Sequence, residues 1–500
     1  MPTDWVLALD AGTTGVRTLA VGADGRPGPM AYREFPQHFP RPGWVEHDAD
    51  DILAAALATL GKVAAAVQET GGRIAAIGIT NQRETVVAWD RRTGRPRHRA
   101  IVWQDRRTAA TCDALRAAGH GPLVRERTGL ILDPYFSATK MAWLCTEGGV
   151  AVDGDLALGT VDTWLLWNLT GGRAGGVHAT EPSNASRTLL YDLRSGGWSR
   201  ELADLFGVPM GALPFVGMSS GRFGVTVPDC AANLAVPVSG IAGDQQASLF
   251  GQACVEPGQT KNTYGTGSFV LMNVGTEVPA PVDGLLTTVA WQIGETMTYA
   301  LEGAVFVTGA AIQWLRDGLG ILASSAEAGP LAESVPDTGG VVFVPALTGL
   351  GAPYWDPYAR GAVLGLTRGT TRAHLVRAAI EAMAWQTRDV VDAMVAACGQ
   401  PIASLRIDGG ASVMDLLCRF QADVLGTEVR RSAVRETTAL GAAFLAGLAE
   451  GVWGDVGDLA AHWHDDGRWE PTASRDEIDA AYAQWRRAVD RAQGWADTEP

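Results

Sequence analysis

Lysine is almost missing from this chain. Of 500 residues 40 are basic, and only Lys62, Lys140 and Lys261 among them are lysine. None sits in a G-x-x-x-x-G-K-[ST] string, which excludes a P-loop. Any phosphate must therefore be held by backbone amides, hydroxyls or arginine. Long apolar runs are also absent. Although 47% of the residues are hydrophobic and 19% charged, no run reaches the ~20 residues of a membrane span. The opening MPTDWVLALD lacks the basic-then-apolar pattern of a leader, so a cytoplasmic globular protein is expected. The six cysteines (Cys112, Cys145, Cys230, Cys254, Cys398, Cys418) are scattered, with no pair at zinc-site spacing, and read as reduced thiols. A formal charge of -15 argues against a non-specific grip on nucleic acid or anionic membrane. No G-x-G-x-x-G opens a helix after the first strand, which disfavours a dinucleotide-dependent dehydrogenase.

The length exceeds what one core usually organises, so two or more domains are expected. A strand (Trp5 to Leu9), a Gly/Thr turn and a second strand (Arg17 to Val21) run into Asp24-Gly25, a strong hairpin signal. After Asp48, a good N-cap, the stretch to Gln68 places Leu53, Leu57, Leu60, Ala64 and Val67 at helical spacing. Strands at Ile74 to Ile79 and Thr85 to Trp89 complete an α/β pattern. A second hairpin, Thr263 to Met272, restarts this grammar. Helices then follow at Gly309 to Asp317, Thr371 to Ala397, Leu416 to Leu425 and Thr438 to Leu448, with a strand at Leu405 to Ile407 and a terminal helix at Asp476 to Gln493. The boundary falls between Ile241 and Gln259, dividing the chain into residues 1–250 and 251–500.

Two turns carry phosphate chemistry. In Asp10-Ala11-Gly12-Thr13-Thr14, glycine lets backbone approach a phosphate, amides and hydroxyls can bind its oxygens, and a strand-end aspartate can hold Mg²⁺ through water. A plain hairpin explains this string equally well on its own. The recurrence of Gly265-Thr266-Gly267 in a matching hairpin tips the balance: two such turns, one per lobe, could clamp a triphosphate, as in the two-lobed actin-like ATPase (ribonuclease H-like) fold. A third turn, Asp408-Gly409-Gly410-Ala411, joins a strand to a helix where a base or ribose could approach, although such turns are commonly structural.

Polar candidates for a polyol are the adjacent Arg83 and Glu84, and Asp244-Gln245 just past an apolar strand. Adjacency by itself favours an exposed ion pair for the first and a helix cap for the second. Trp103 and Tyr135 are more often core aromatics than ligands.

Taken in order, ITNQRET (Ile79 to Thr85), IVWQDRRTA (Ile101 to Ala109), DPYFSATK (Asp133 to Lys140), AGDQQASLFGQ (Ala242 to Gln252), KNTYGTGSF (Lys261 to Phe269) and GLGAPYWDPYARG (Gly349 to Gly361) resemble the FGGY family of carbohydrate kinases, most closely its glycerol-phosphorylating branch. Tyr135 to Glu147 and Gly361 to Glu381 resemble the two signatures of the wider family. The resemblance covers nearly the whole chain. It implies a two-domain actin-like α/β kinase with its site in the interdomain cleft, using ATP and Mg²⁺ on glycerol and assembling as a homo-oligomer, dimer or tetramer. By the same resemblance Asp244 is the general base and Asp10 organises the metal. Arg83, Glu84, Tyr135, Asp244 and Gln245 bind hydroxyls, and Trp103 and Phe269 face carbons. Gly12, Thr13, Thr14, Arg17, Thr266 and Gly267 cradle phosphates, with Gly309, Gln313, Gly410, Ala411 and Met414 around the nucleoside.

Three departures from the family pattern stand out. Ala11 stands where the family has glutamine, and Gly15-Val16 where it has serines after the threonines of the first turn. Met414 and Asp415 replace an asparagine pair, so weak discrimination for adenine is expected. The loop Asp229 to Gly240 has neither the arginine-bearing string of the fructose 1,6-bisphosphate site found in some bacterial members nor a histidine to phosphorylate. A kinase for another polyol or sugar, of the erythritol, xylulose or ribulose type, and a catalytically silent nucleotide-binding scaffold are the competing readings.

Overall fold

The computed structural model of the protein describes residues 3–399 and 401–496. The first lobe opens with β1 (Asp4–Ala11), β2 (Gly15–Gly22) and β3 (Pro27–Glu34), an antiparallel meander. Val6 to Leu9 of β1 are fully buried, as expected for a strand covered on both faces. Helix α1 (Ala49–Glu69) follows, its first turn capped by the Asp48 carboxylate, which accepts from Asp50 N at 3.0 Å. The chain then adds β4 (Arg73–Asn81), parallel to β1, covers it with α2 (Val161–Leu169), and continues through β5 (Ser220–Val225) and β6 (Pro237–Gly243), the latter parallel to β4. Helix α3 (Asp244–Gly251) closes the lobe.

The second lobe repeats the plan. Strands β7 (Thr260–Tyr264), β8 (Ser268–Gly275), β9 (Leu286–Ile293) and β10 (Thr296–Val305) are antiparallel neighbours. A short helix α4 (Gly309–Gln313) and the long α5 (Arg372–Cys398) lead to β11 (Leu405–Gly409), parallel to β7. Then come α6 (Asp415–Leu425), β12 (Val429–Ser432), α7 (Thr437–Ala449), β13 (Asp465–Trp469) and α8 (Arg475–Ala492). The strand order is β3-β2-β1-β4-β6 in the first lobe and β10-β8-β7-β11-β12 in the second, the same topology twice. This is the duplicated actin-like fold that the two turns imply. The sheets join edge to edge through one pairing, Ser220 with Ile293, into 13 strands. Among the described residues no helix is long and apolar enough to cross a membrane.

Helix α1 buries Leu60, Ala64 and Val67 of the expected face, but its stripe is centred elsewhere. Ile52, Ala56, Leu60, Val63 and Val67 point into the first core, while Leu53 and Leu57 are only half-buried at its flank.

Helices α3 and α7 fix the relation between the lobes. A Cβ on Gly441 would stand 1.8 Å from the carbonyl oxygen of Ala247, so the two helices touch backbone to backbone where no side chain fits. Between the sheets they share a core that includes Phe250, Trp291, Leu440 and Phe444. Asp244 begins α3 and Glu436 immediately precedes α7, and the charges of both reach Asp10.

Candidate active site

The tip of the β1–β2 hairpin closes with Gly12 N donating to Gly15 O at 3.0 Å. A chain of side chains props it from below. Gln82 Nε2 donates to Gly12 O (3.1 Å) and lies 3.3 Å from His47 Nδ1. His47 Nε2 lies 2.6 Å from Gln37 Oε1, and Gln37 Nε2 donates to Thr13 O at 3.0 Å. Because both amides already donate to carbonyls, His47 must be neutral, accepting at Nδ1 and donating from Nε2. Burial, with His38 nearby, agrees, holding its pKa down at about 4. Trp103 Nε1 donates to Thr13 Oγ1 at 3.0 Å, and Thr14 Oγ1 lies 3.2 Å from the Tyr32 hydroxyl.

At the end of β1, Asp10 lies 3.6 Å from Arg17, which also pairs with Glu436 across the cleft. Burial pushes the Asp10 carboxyl up to about 7; Arg17 opposes this, and the charges of Asp244 and Glu436 add to it. Asp10 and Glu436 thus share Arg17.

The second turn is held by backbone. Gly265 N donates to Gly267 O at 2.8 Å, Thr308 N and Ala310 N both donate to Thr266 O at 3.0 Å, and Gly309 N donates to Gly265 O at 3.1 Å. Thr266 is thereby bound to the start of α4, on which Gln313 lies exposed. Beside it, near the end of β11, Asp408 Oδ2 accepts from Thr437 (2.5 Å), Gln252 (2.6 Å) and Ser248 (3.3 Å). Gly409 follows at φ +87°, and a Cβ there would meet Tyr264 O at 2.4 Å. A narrow cavity of about 110 Å³ opens here, lined by Gly409, Ser412, Val413, Arg431 and Arg435. Gly410 and Ala411 stand in the tight turn between Gly409 and Ser412. The Met414 side chain instead packs on the second core, and the Asp415 carboxylate is 3.1 Å from Arg431, so it is already paired.

Between the turns, Arg83 and Glu84 are almost wholly buried (2% and 1% exposed); their adjacency does not make an exposed ion pair. Arg83 spends every donor inside the protein: on Glu302 (2.5 and 3.0 Å), Gln246 (3.2 Å), the Tyr135 hydroxyl (3.4 Å) and Asp244 (3.3 Å). Arg187 donates to Glu84 at 2.6 Å and to Glu302 at 3.0 Å. Arg83, Glu84, Arg187 and Glu302 thus alternate in sign, as a buried cluster must if its charges are to survive desolvation. Burial opposes the charge of Glu302, but the two guanidinium groups prevail and hold it down at about 2. Burial raises Glu84 and Asp244 instead, against Arg187 and Arg83 respectively. The Asp244 side chain is 30% exposed, the open member of the group. Trp103 packs edge-on to Tyr135 at 5.6 Å, and the Arg83 guanidinium lies 5.9 Å from the Phe269 ring. Gln245 Oε1 accepts from Lys261 Nζ at 2.6 Å.

The structure therefore gathers Asp10, Gly12, Thr13, Thr14, Arg17, Arg83, Glu84, Trp103, Tyr135, Asp244, Gln245 and Phe269 around one cleft. Thr266, Gly267, Gly309, Gln313, Gly410 and Ala411 lie on the second lobe, and Met414 turns into its core. Sequence reading missed Glu302, Arg187 and Lys261. The signal for Glu302 was present: a lone carboxylate within the apolar run of β10 needs a buried partner.

Two sequence profiles match the chain: the FGGY family of carbohydrate kinases, N-terminal domain, over residues 5–251, and its C-terminal domain over residues 260–450. The chain is 54% identical to a glycerol kinase of Dechloromonas aromatica over 500 residues, covering 99% of this chain and 98% of the relative. Identity is also 54% to one of Trichlorobacter lovleyi, over 98% and 99%. Among solved structures, Plasmodium falciparum glycerol kinase with ADP aligns with a TM-score of 0.92 at 32% identity over 98% of each chain. A gluconate kinase from Lactobacillus acidophilus, 19% identical over 98% of this chain and 99% of that one, shares the fold at 0.87.

Proposed function

The chain belongs to the FGGY family of carbohydrate kinases, and from that premise we propose that it transfers the terminal phosphoryl group of ATP to glycerol, giving sn-glycerol 3-phosphate. The observation that carries the chemistry is the position of Asp244. It is the partly exposed carboxylate of an otherwise buried charge cluster, it starts the helix that joins the lobes, and it shares the electrostatic field of Asp10.

Glycerol enters where the contacts within the cluster are longest, between Arg83, the Tyr135 hydroxyl and Asp244, with Gln245 and Glu84 completing the polar wall. A buried polar wall of this kind rejects an analogue that lacks a hydroxyl, because it leaves a protein group unpaired. Trp103 and Phe269 bound the carbon side. As the terminal hydroxyl attacks phosphorus, its proton passes to an Asp244 oxygen. A carboxyl raised by burial is a better base at neutral pH than one in water. Phosphoryl transfer through a loose transition state then depends on positioning and charge neutralisation. Amides and hydroxyls of Gly12, Thr13 and Thr14 on one side, and of Thr266 and Gly267 on the other, hold the phosphates. Arg17 supplies the guanidinium, and Gly309, Gln313, Gly410 and Ala411 border the nucleoside.

Asp10 suits Mg²⁺. It is a carboxyl raised chiefly by burial, with Arg17 opposing and Asp244 and Glu436 adding to the rise, and among the described residues no cluster of three or more acidic, His or Cys side chains forms a complete cage. That matches an ion that keeps its waters and takes phosphate oxygens for the rest. When bound, it supplies neutralisation of charge on the phosphates.

The test is ADP release with ATP and a panel of three- to five-carbon polyols and ketoses. Glycerol should give the highest kcat/KM. A four- or five-carbon substrate that outperforms it would overturn the substrate assignment.

A further inference from the structure

Only three lysines stand against 37 arginines in this chain, and one of them is sealed inside the cleft wall. Lys261, on β7, is fully buried. Its ammonium donates to Gln245 Oε1 at 2.6 Å and to Thr263 Oγ1 at 2.9 Å. An ammonium has three donors and no acceptor, so the amide group facing it can only be the oxygen. The orientation of Gln245, ordinarily a matter of inference, is therefore dictated by its neighbour's chemistry. The other end of the amide, Nε2, finds no acceptor among the described residues.

We propose that Lys261 is a positioning residue that locks Gln245 so that it presents N–H, and not its oxygen, to the polyol. This rests on the glycerol kinase reading above. The hydroxyl facing Gln245 then accepts a hydrogen bond, and its own proton points away toward a carboxylate. A compact ammonium suits this pocket where a planar guanidinium would need a wider fork of acceptors. Asp408, Asp244 and Glu302 surround it with negative charge. Burial and Arg83 oppose this and hold the lysine down at about 8, so it is still largely protonated at neutral pH.

The test is a cycle of Lys261→Met, Gln245→Ala and the double variant, assayed for glycerol and ATP. Loss of one hydrogen bond corresponds to roughly a two- to twelve-fold change. Lys261→Met should raise the KM for glycerol by that factor, leave the KM for ATP unchanged and lower kcat less than it raises KM. In the Gln245→Ala background the same substitution should add nothing to the glycerol KM. An equal rise in both backgrounds would overturn the proposal, because Lys261 would then not act through Gln245. Gln245→Glu provides a readout that does not depend on Lys261→Met folding. It keeps the Lys261 contact as an ion pair but offers glycerol no donor, so its melting temperature should match the native one while its KM rises as in Gln245→Ala. Native glycerol affinity in Gln245→Glu would refute the donor assignment. A native protein with no glycerol-dependent turnover would instead refute the reading on which the proposal rests.

Discussion

At the tip of the first lobe's hairpin, Gln37, His47, Gln82 and Trp103 reach up to hold Gly12 and Thr13. At the matching tip of the second lobe, Thr266 and Gly265 are held by the amides that begin α4. The strand order beneath is the same. The first turn sits among Asp10, Arg17 and Glu436, so it is a charged place where polar props can be exchanged. The second sits where backbones crowd, with Gly409 against Tyr264. One topology therefore supports two kinds of hairpin tip, one held by side chains and one fixed by backbone geometry. Asp244 lies between them at the start of α3.

If the labour is divided in this way, Asp244→Asn should have the largest effect. Loss of a general base predicts a fall in kcat of about 10²- to 10⁴-fold, with the glycerol dissociation constant, measured by calorimetry, changed only a few-fold. Near-native turnover would remove Asp244 from this role.

A Cβ sharpens the contrast between the two tips. Gly267→Ala would set a Cβ 2.4 Å from the Val305 carbonyl oxygen, which predicts a loss of about 1–3 kcal/mol in denaturant unfolding and a raised KM for ATP. On Gly12 the same Cβ meets nothing closer than Gly15 O at 3.4 Å, so Gly12→Ala should unfold within about 0.5 kcal/mol of native. Equal losses at both sites would break the comparison.

The side-chain props should be acid-sensitive. His47 is depressed to about 4 in the folded chain against 6.5, so between these values the unfolded state binds the extra proton and stability falls as pH falls. His178, also lowered to about 4 by burial, adds to the same slope. Urea midpoints at pH 7 and pH 5 should show His47→Gln losing less on acidification than the native protein, by roughly 2 kcal/mol. An unchanged acid loss would mean that His47 is not a neutral prop.

The smallest effect concerns the base. With Met414 turned into the core and Asp415 paired to Arg431, ATP should be favoured over GTP by less than about tenfold in kcat/KM, with Met414→Asn widening the gap. A thousandfold native preference would place base recognition elsewhere.

Local order was legible in the sequence where the signal was local. The Asp24-Gly25 turn, the Asp48 cap and the periodic helices all appear in the structure where the pattern puts them. What stayed hidden depends on distance along the chain. Glu302 meets Arg83 across 219 positions and Arg187 across 115, and no window of sequence contains both members of either pair. The stripe of α1 was legible at Leu60, Ala64 and Val67 and missed at Ile52, Ala56 and Val63, while Leu53 and Leu57 lie at its flank. The burial of Arg83 and Glu84 could not come from their adjacency either, because it depends on Glu302 arriving from the other lobe.

The most direct test of the account is the handedness of the product. A cleft whose buried polar groups engage all three hydroxyls of glycerol must tell its two primary carbons apart. The native protein, given ATP, Mg²⁺ and glycerol, should therefore form sn-glycerol 3-phosphate alone, one equivalent per ADP, as read by an enantiomer-specific dehydrogenase against total phosphomonoester by ³¹P NMR. A mixture of enantiomers, or ADP release that does not depend on glycerol, would contradict it.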